Sequence, residues 1–240
     1  MKTVFITGAN RGIGFETARQ LAQLDYFVYI GSRDKEKGQR AKQELQGSGL
    51  RNVDALELDV TNLDSIKKAR RILETKATKL DVLINNAGMR GEVPQRASHI
   101  PIEVLREVFE TNFFGVIQVT QEFIPLLKKS QVPVIVNVTS DIGSLTLRSD
   151  TGWKHYKIER AAYGPSKTAL NAYTVALATE LKDSKFKVNS VNPGYTATEF
   201  NNYTGTKPVA QGAAVIVKYA TLDENGPTGK FFSEEGETPW

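Results

Sequence analysis

Two kinds of segment alternate along this chain, and the alternation restricts its fold more than any other feature. Short runs rich in β-branched residues are "KTVFIT" (2–7), "YFVYIG" (26–31), "VDALEL" (53–58), "DVLIN" (81–85), "PVIVNVT" (133–139), "KVNSV" (187–191) and "KFF" (230–232). Helical patterns lie between them, near 13–24, 35–46, 62–78, 103–129, 161–182 and 208–221. The first, fourth and fifth runs are continuously apolar, as strands covered on both faces must be. Strand–helix repetition at this pace predicts a parallel, doubly wound α/β sheet with helices on both sides. No internal repeat, low-complexity tract or Pro/Ser-rich linker interrupts the 240 residues. One domain over 1–240 is therefore expected, long enough to bury a sizeable core.

Composition removes several function classes. The net charge is only +4 and the basic residues are scattered, so there is no nucleic-acid footprint. With no cysteine, neither a disulfide frame nor a thiolate metal site can form, and the two histidines, His99 and His155, lack metal-ligand spacing. No run of about 18 apolar residues suggests a membrane span, and "MKTVFITGANRGIG" leads straight into structure without a signal peptide. A cytoplasmic protein is expected.

The first strand ends in "TGANRGIG", with Gly8, Gly12 and Gly14, and an amphipathic helix, "FETARQLAQL", follows. A strand, a glycine-rich turn and a helix N-terminus make a phosphate cradle. Gly8 allows the tight turn, Gly12 lets backbone approach a pyrophosphate, and Gly14 permits close helix–sheet packing. The G-x-x-x-G-x-G spacing differs from the commoner G-x-G-x-x-G, and from the G-x-x-x-x-G-K-[ST] of P-loop proteins. A glycine triplet can be turn chemistry alone, but its place at the first strand–helix junction favours dinucleotide binding.

In "AAYGPSK" (161–167), Pro165 fits only the first turn of a helix, so a helix is expected to begin close to Ala161–Tyr163. Tyr163 and Lys167 then share one helix face. A neighbouring cation and the positive end of the helix dipole should lower the phenol's pKa from about 10. A tyrosine so tuned can pass a proton near neutral pH. Alone the pair is weak, because helical spacing produces many surface Tyr–Lys neighbours.

Together these and further motifs resemble the short-chain dehydrogenase/reductase family over essentially the whole chain. T-G-x-x-x-G-I-G falls on Thr7–Gly14, N-N-A-G on Asn85–Gly88 and Y-x-x-x-K on Tyr163–Lys167. Ser140 in "NVTSDIG", Asn112 in "ETNFFG" and Pro193–Thr198 as P-G-x-x-x-T complete the order. The resemblance implies a Rossmann fold with seven parallel strands in the order 3-2-1-4-5-6-7, and hydride transfer between a nicotinamide and a carbonyl/alcohol pair. It implies Tyr163 as general acid or base and Lys167 as holder of the nicotinamide ribose. Ser140 would be a donor to the substrate oxygen, and Asn112 would position a water in a proton relay. Gly8, Asn10, Arg11, Gly12, Ile13 and Gly14 would line the phosphates, and Asp59 and Val60 the adenine. Asn86, Ala87 and Gly88 would lie on the adenine-ribose side. Pro193, Gly194, Thr196 and Thr198 would hold the carboxamide.

The second strand ends "YIGSRDKEK", with Ser32 where relatives preferring NAD carry aspartate, and Arg33 next. Arg11 supplies a second cation. Two guanidinium groups suit a 2′-phosphate, so NADP(H) is expected in preference to NAD(H). The rival acid, Asp34, reads as a helix cap pointing outwards.

The stretch between Ser140 and Tyr163 exceeds that of most members, with the extra residues near 147–157. Longer insertions occur in carbonyl-reductase-like members, which the ending "GPTGKFFSEEGETPW" also resembles. Trp153, His155 and Tyr156 either cover a hydrophobic substrate or pack against the body. Family dimers commonly use helices starting near 103 and 161, and an insertion beside the second would obstruct that surface, so monomer and homo-oligomer both stay open. Met89–Arg96, Ile142–Thr146, the insertion and Tyr195–Tyr203 would wall a small-molecule carbonyl or alcohol site, whose shape the loops do not reveal. An NADPH-dependent carbonyl reductase leads. A non-catalytic NADP sensor and an epimerase or dehydratase are the alternatives.

Overall fold

The computed structural model describes residues 1–240. In chain order the strands are β1 Thr3–Ile6, β2 Phe27–Ser32, β3 Val53–Glu57, β4 Val82–Asn85, β5 Val134–Val138, β6 Lys187–Val191, β7 Phe231–Ser233 and β8 Gly236–Glu237. The helices are α1 Gly12–Gln23, α2 Lys35–Gly47, α3 Leu63–Lys76, α4 Ile102–Phe109, α5 Gly115–Leu127, α6 Leu145–Ser149, α7 Tyr163–Glu180 and α8 Val209–Ala220. One sheet runs β3-β2-β1-β4-β5-β6-β7-β8. Its first seven strands are parallel in the order expected. The eighth, absent from the sequence reading, is a two-residue strand antiparallel to β7. It arises because the chain turns back at Glu234–Glu235 and pairs Glu237 with Phe232.

Strand parity explains the continuous apolar runs. Val4 and Ile6 of β1, Val82 and Ile84 of β4, and Val134 and Val136 of β5 pack on one face, with Leu21 of α1, Leu45 of α2 and Ile216 of α8. Phe5, Leu83 and Ile135, the residues between, pack on the other with Leu73 of α3, Phe123 of α5 and Leu177 of α7. Phe5 and Phe123 stack with ring centroids 4.9 Å apart. Each such side chain contributes about 1.5–3 kcal/mol on burial, and both faces demand it at alternate positions. A one-residue slip of β1 would exchange the faces.

Local signals set the helix starts. Asp34 accepts the Lys37 N–H at 3.0 Å and caps α2, and Asn62 accepts the Ser65 N–H and caps α3. Pro165 sits in the first turn of α7, where its missing N–H costs nothing. The helix expected over 103–129 is interrupted by a π-helical turn at Glu110–Phe114. There the buried Asn112 turns its amide to the backbone of Met89. Just beyond, a side chain on Gly115 would lie 2.8 Å from the Val60 carbonyl. β1 and β4 are neighbours whose connections leave on opposite sides of the sheet, which opens a crevice at their C-terminal ends, the usual ligand site of such sheets.

Candidate active site

Thr7 locks the two loops that border this crevice. Its Oγ1 accepts the N–H groups of Asn86 and Ala87 at 3.0 and 2.9 Å, and Asn86 Nδ2 donates to the carbonyls of Thr7 and Gly8. Asn85 lies deeper, donating to Thr120 Oγ1 and Asn137 Oδ1 across the sheet. The fit is close enough to require glycine. Gly8 has φ +63°, and a Cβ there would stand 2.9 Å from Ala87 Cα; on Gly14 it would stand 2.4 Å from Asn86 Nδ2. The N-cap of α1, Arg11, is extended and makes no side-chain cap, which leaves the first-turn N–H groups free to meet an anion. A bare backbone cradle at a helix N-terminus fits the pyrophosphate of a dinucleotide. Asn10 and Ile13 are half-buried on the same turn, Ile13 against the core below.

Around the cradle, Ser32 is buried and its hydroxyl donates to the Asp34 carbonyl. Arg33 is exposed and unpaired, while Asp34 is spent on capping α2. Arg11 is also exposed, but it ion-pairs with Glu199. The Asp59 carboxylate accepts the N–H and hydroxyl of Thr61, and Val60 is buried beside Gly115. Beyond β6, Gly194 has φ +79° and lets the chain turn back. Thr196 donates to the Pro193 and Gly194 carbonyls. The Thr198 methyl would be 3.6 Å from a Cβ on Gly12. The 193–201 segment therefore lies across the mouth of the glycine turn.

Tyr163, Lys167, Ser140 and Asn112 meet at the same end of the sheet. Lys167 is buried, with Nζ 5.8 Å from the Tyr163 ring centroid and donating to the Val138 carbonyl at 2.8 Å. A Cβ on Gly88 would lie 3.3 Å from Asn112 Oδ1 and 3.7 Å from Lys167 Nζ, so both polar groups border the space that Gly88 leaves open. Asn112 Oδ1 accepts the Met89 N–H, and its Nδ2 donates to the Met89 carbonyl and Ser166 Oγ. Ser166 in turn donates to the Tyr163 carbonyl. Ser140, two residues beyond β5, accepts the Ile142 N–H and donates to Asp141 Oδ1. The turn after it is pressed against α7, where a Cβ on Gly143 would reach 2.8 Å from Lys167 Cβ.

The electrostatics overturn one expectation. The Tyr163 phenol is held above its ordinary value, not below it. Burial is the main cause and the nearby Asp141 charge adds to it, against the smaller opposing effects of the Ser140 hydroxyl and Arg160. Burial also pushes the Lys167 ammonium down to about 8. Desolvation of both groups outweighs the attraction between a phenolate and an ammonium group.

Gln95 was not legible beforehand. It is buried, and its Oε1 accepts the N–H groups of Ala162 and Tyr163 at 3.0 and 3.1 Å. It thereby caps α7 from far away in sequence. The insertion is stapled by Arg148, whose guanidinium donates to the carbonyls of His155, Tyr156 and Ile158. Trp153 packs edge-on to His155 at 5.2 Å, and His155 lies 6.4 Å from the Tyr195 ring. Tyr156 points away, exposed. Phe200 adds a ring 5.8 Å from that of Tyr163.

Sheet, crevice and loops define a Rossmann-type α/β protein. A model of the family described as short chain dehydrogenase matches residues 2–208. The chain belongs to that family, and so to the oxidoreductases. It is 33% identical to (+)-neomenthol dehydrogenase of Capsicum annuum, over 95% of this chain and 94% of that one. It superposes with TM-score 0.87 and 28% identity on the NADPH-bound carbonyl reductase from chicken fatty liver, covering 100% of this chain and 99% of the other. With TM-score 0.84 and 26% identity it also superposes on 3-ketoacyl-(acyl-carrier-protein) reductase from Brucella melitensis, complexed with NADH, over 97% and 96%.

Proposed function

We propose that residues 1–240 act as one NADP(H)-binding domain, a cytoplasmic enzyme that reduces a ketone or aldehyde to an alcohol and runs reversibly. The observation that carries this reading is the meeting of Tyr163, Lys167, Ser140 and Asn112 at the crevice beside a glycine cradle. A reduced nicotinamide held by this cradle would supply the hydride for the carbonyl carbon. Tyr163 gives its proton to the carbonyl oxygen, and the raised phenol pKa keeps that proton in place until charge develops there. Ser140 donates a hydrogen bond to the same oxygen as it becomes negative. Lys167, an acid near 8, returns a proton towards Tyr163 and would hold the nicotinamide ribose when the cofactor binds. Asn112, whose Oδ1 borders the same space beside Gly88 as Lys167 Nζ, positions the water of that relay. Two electrons enter at carbon and one proton at oxygen, which balances the alcohol formed.

Solved relatives hold either cofactor, so the preference for NADP(H) is argued from residues. Ser32 offers no carboxylate to a ribose, Asp34 is occupied as a cap, and Arg33 is free. Arg11 becomes available when its solvent-exposed pairing with Glu199 exchanges. Such pairs are worth about 0–1 kcal/mol and yield readily to a phosphate. Gly8, Asn10, Gly12, Ile13 and Gly14 cradle the pyrophosphate, and Asp59, Val60, Asn86, Ala87 and Gly88 border the adenosine. Pro193, Gly194, Thr196 and Thr198 orient the nicotinamide. Initial rates with NADPH and NADH across a panel of aldehydes and ketones test the proposal. Turnover with NADPH well above NADH, lost in Tyr163→Phe, is expected. No oxidation of either cofactor with any carbonyl would refute it.

A further inference from the structure

Two guanidinium groups at the rim of the crevice have no carboxylate partner. Arg90 follows Met89, the residue whose backbone holds Asn112. Arg160 precedes Tyr163 by three positions. Gln95 ties both to one place. Its side-chain amide donates to the Arg90 carbonyl at 2.8 Å, its backbone bridges that of Arg160, and its Oε1 receives the Tyr163 N–H. Both arginines are half-buried.

Two of the nearby acids are already engaged, and a third, Glu92, is exposed and forms no ion pair with either arginine. Glu159 is paired with Arg96 at 3.1 Å. Asp141 accepts the Ile142 N–H and the Ser140 hydroxyl. The one hydrogen bond of the Arg160 guanidinium runs to the carbonyl of its neighbour Glu159. Arg90 is close enough to disfavour the charge on Arg160, in addition to the larger effect of burial, while Tyr195 and Tyr163 favour it. Two like charges held together and partly desolvated raise the free energy of the unliganded protein. An anion between them would relieve that cost, and a planar carboxylate matches the guanidinium fork.

We propose that Arg90 and Arg160 bind a carboxylate on the substrate, so that the enzyme prefers carbonyl compounds that carry an acid group. This rests on the carbonyl-reductase reading and deepens it. The pyrophosphate cradle is formed by the turn between β1 and α1, and the arginines stand on the loops that lead into Asn112 and Tyr163. The anion they take therefore belongs to the molecule facing the Tyr163 phenol.

The experiment compares kcat/KM for 4-carboxybenzaldehyde and its methyl ester with NADPH, in the wild type and in Arg90→Leu, Arg160→Leu and Arg160→Lys. Calorimetric titration of benzoate and benzamide into the NADP⁺-loaded protein runs alongside. The wild type should prefer the acid, and either leucine variant should lower the acid-to-ester ratio by about 10- to 100-fold, the worth of a charge-assisted hydrogen bond. Arg160→Lys should keep part of it. Benzoate, not benzamide, should bind, and Arg160→Leu should abolish that binding. An acid-to-ester ratio unmoved by all three variants, or no benzoate binding, overturns the proposal while ester turnover leaves the reductase reading standing. Benzoate binding that depends on the arginines, without reduction of either aldehyde, would instead support the anion site and refute the reductase.

Discussion

The side-chain carbonyl of Gln95 accepts the backbone N–H of Tyr163 at 3.1 Å. A loop residue thus fixes the first turn of the helix that carries the proposed proton donor. Replacing it by an apolar residue of similar volume, Gln95→Leu, leaves the buried N–H of Ala162 and the partly buried N–H of Tyr163 unpaired. A loss of about 1–3 kcal/mol in stability is expected, together with a fall in kcat larger than any rise in KM. Denaturant unfolding and steady-state kinetics check it. Unchanged kcat would mean that the contact does not position Tyr163.

Tyr163→Phe removes one oxygen and keeps the ring packing against Phe200. General acid catalysis is worth about 10²–10⁴ in rate, so kcat should fall by at least about 100-fold. NADPH affinity, read from nicotinamide fluorescence, should change little. Retention of more than a tenth of the activity would exclude the phenol as donor.

Arg33 has no acidic partner, whereas Arg11 shares Glu199. Arg33→Ala should weaken NADPH binding by about 10- to 100-fold through loss of a charge-assisted contact, and NADH binding much less. Glu199→Gln should strengthen NADPH binding by no more than about fivefold, because exposed pairs are weak. Equal losses for both cofactors in Arg33→Ala would argue against a 2′-phosphate site there.

Lys167 titrates in the folded protein near 8 rather than at its ordinary value of 10.5. Between those values the unfolded chain binds more protons than the native one, so this group makes stability rise with pH from about 8. Tyr163 has the opposite sign above 10, since its raised native value leaves the unfolded chain with fewer protons. The melting temperature of the ligand-free protein, minus that of Lys167→Met, should therefore increase between pH 8 and 9.5. It should level off above about 10.5, where the unfolded lysine also loses its proton; the decline from Tyr163 occurs in both proteins and cancels in the difference. A flat difference would show that the ammonium is not desolvated.

Arg148 holds three carbonyls of the insertion. Arg148→Ala should speed amide hydrogen exchange over 150–158 and raise KM for bulky carbonyls, with little change for small ones. Protection unaltered in that segment would show that the loop is held by Trp153 and His155 instead.

Some of this was determined by sequence alone, and some only by tertiary packing. The alternating faces of β1, β4 and β5, the glycines at 8 and 14 and the cap Asp34 were readable, because each follows from residues within one or two turns of chain. The motif order located Ser140, Asn112, Tyr163 and Lys167, and the fold brings them to one crevice. Packing decided what lies between distant residues. Gln95 reaches Tyr163, Glu199 reaches Arg11, and Asn112 trades regular helix for a bond to Met89. Packing also reversed the expected direction of the Tyr163 pKa. Spacing reports that a cation lies one turn away, but desolvation depends on every neighbour that excludes water, and those come from segments far apart in the chain.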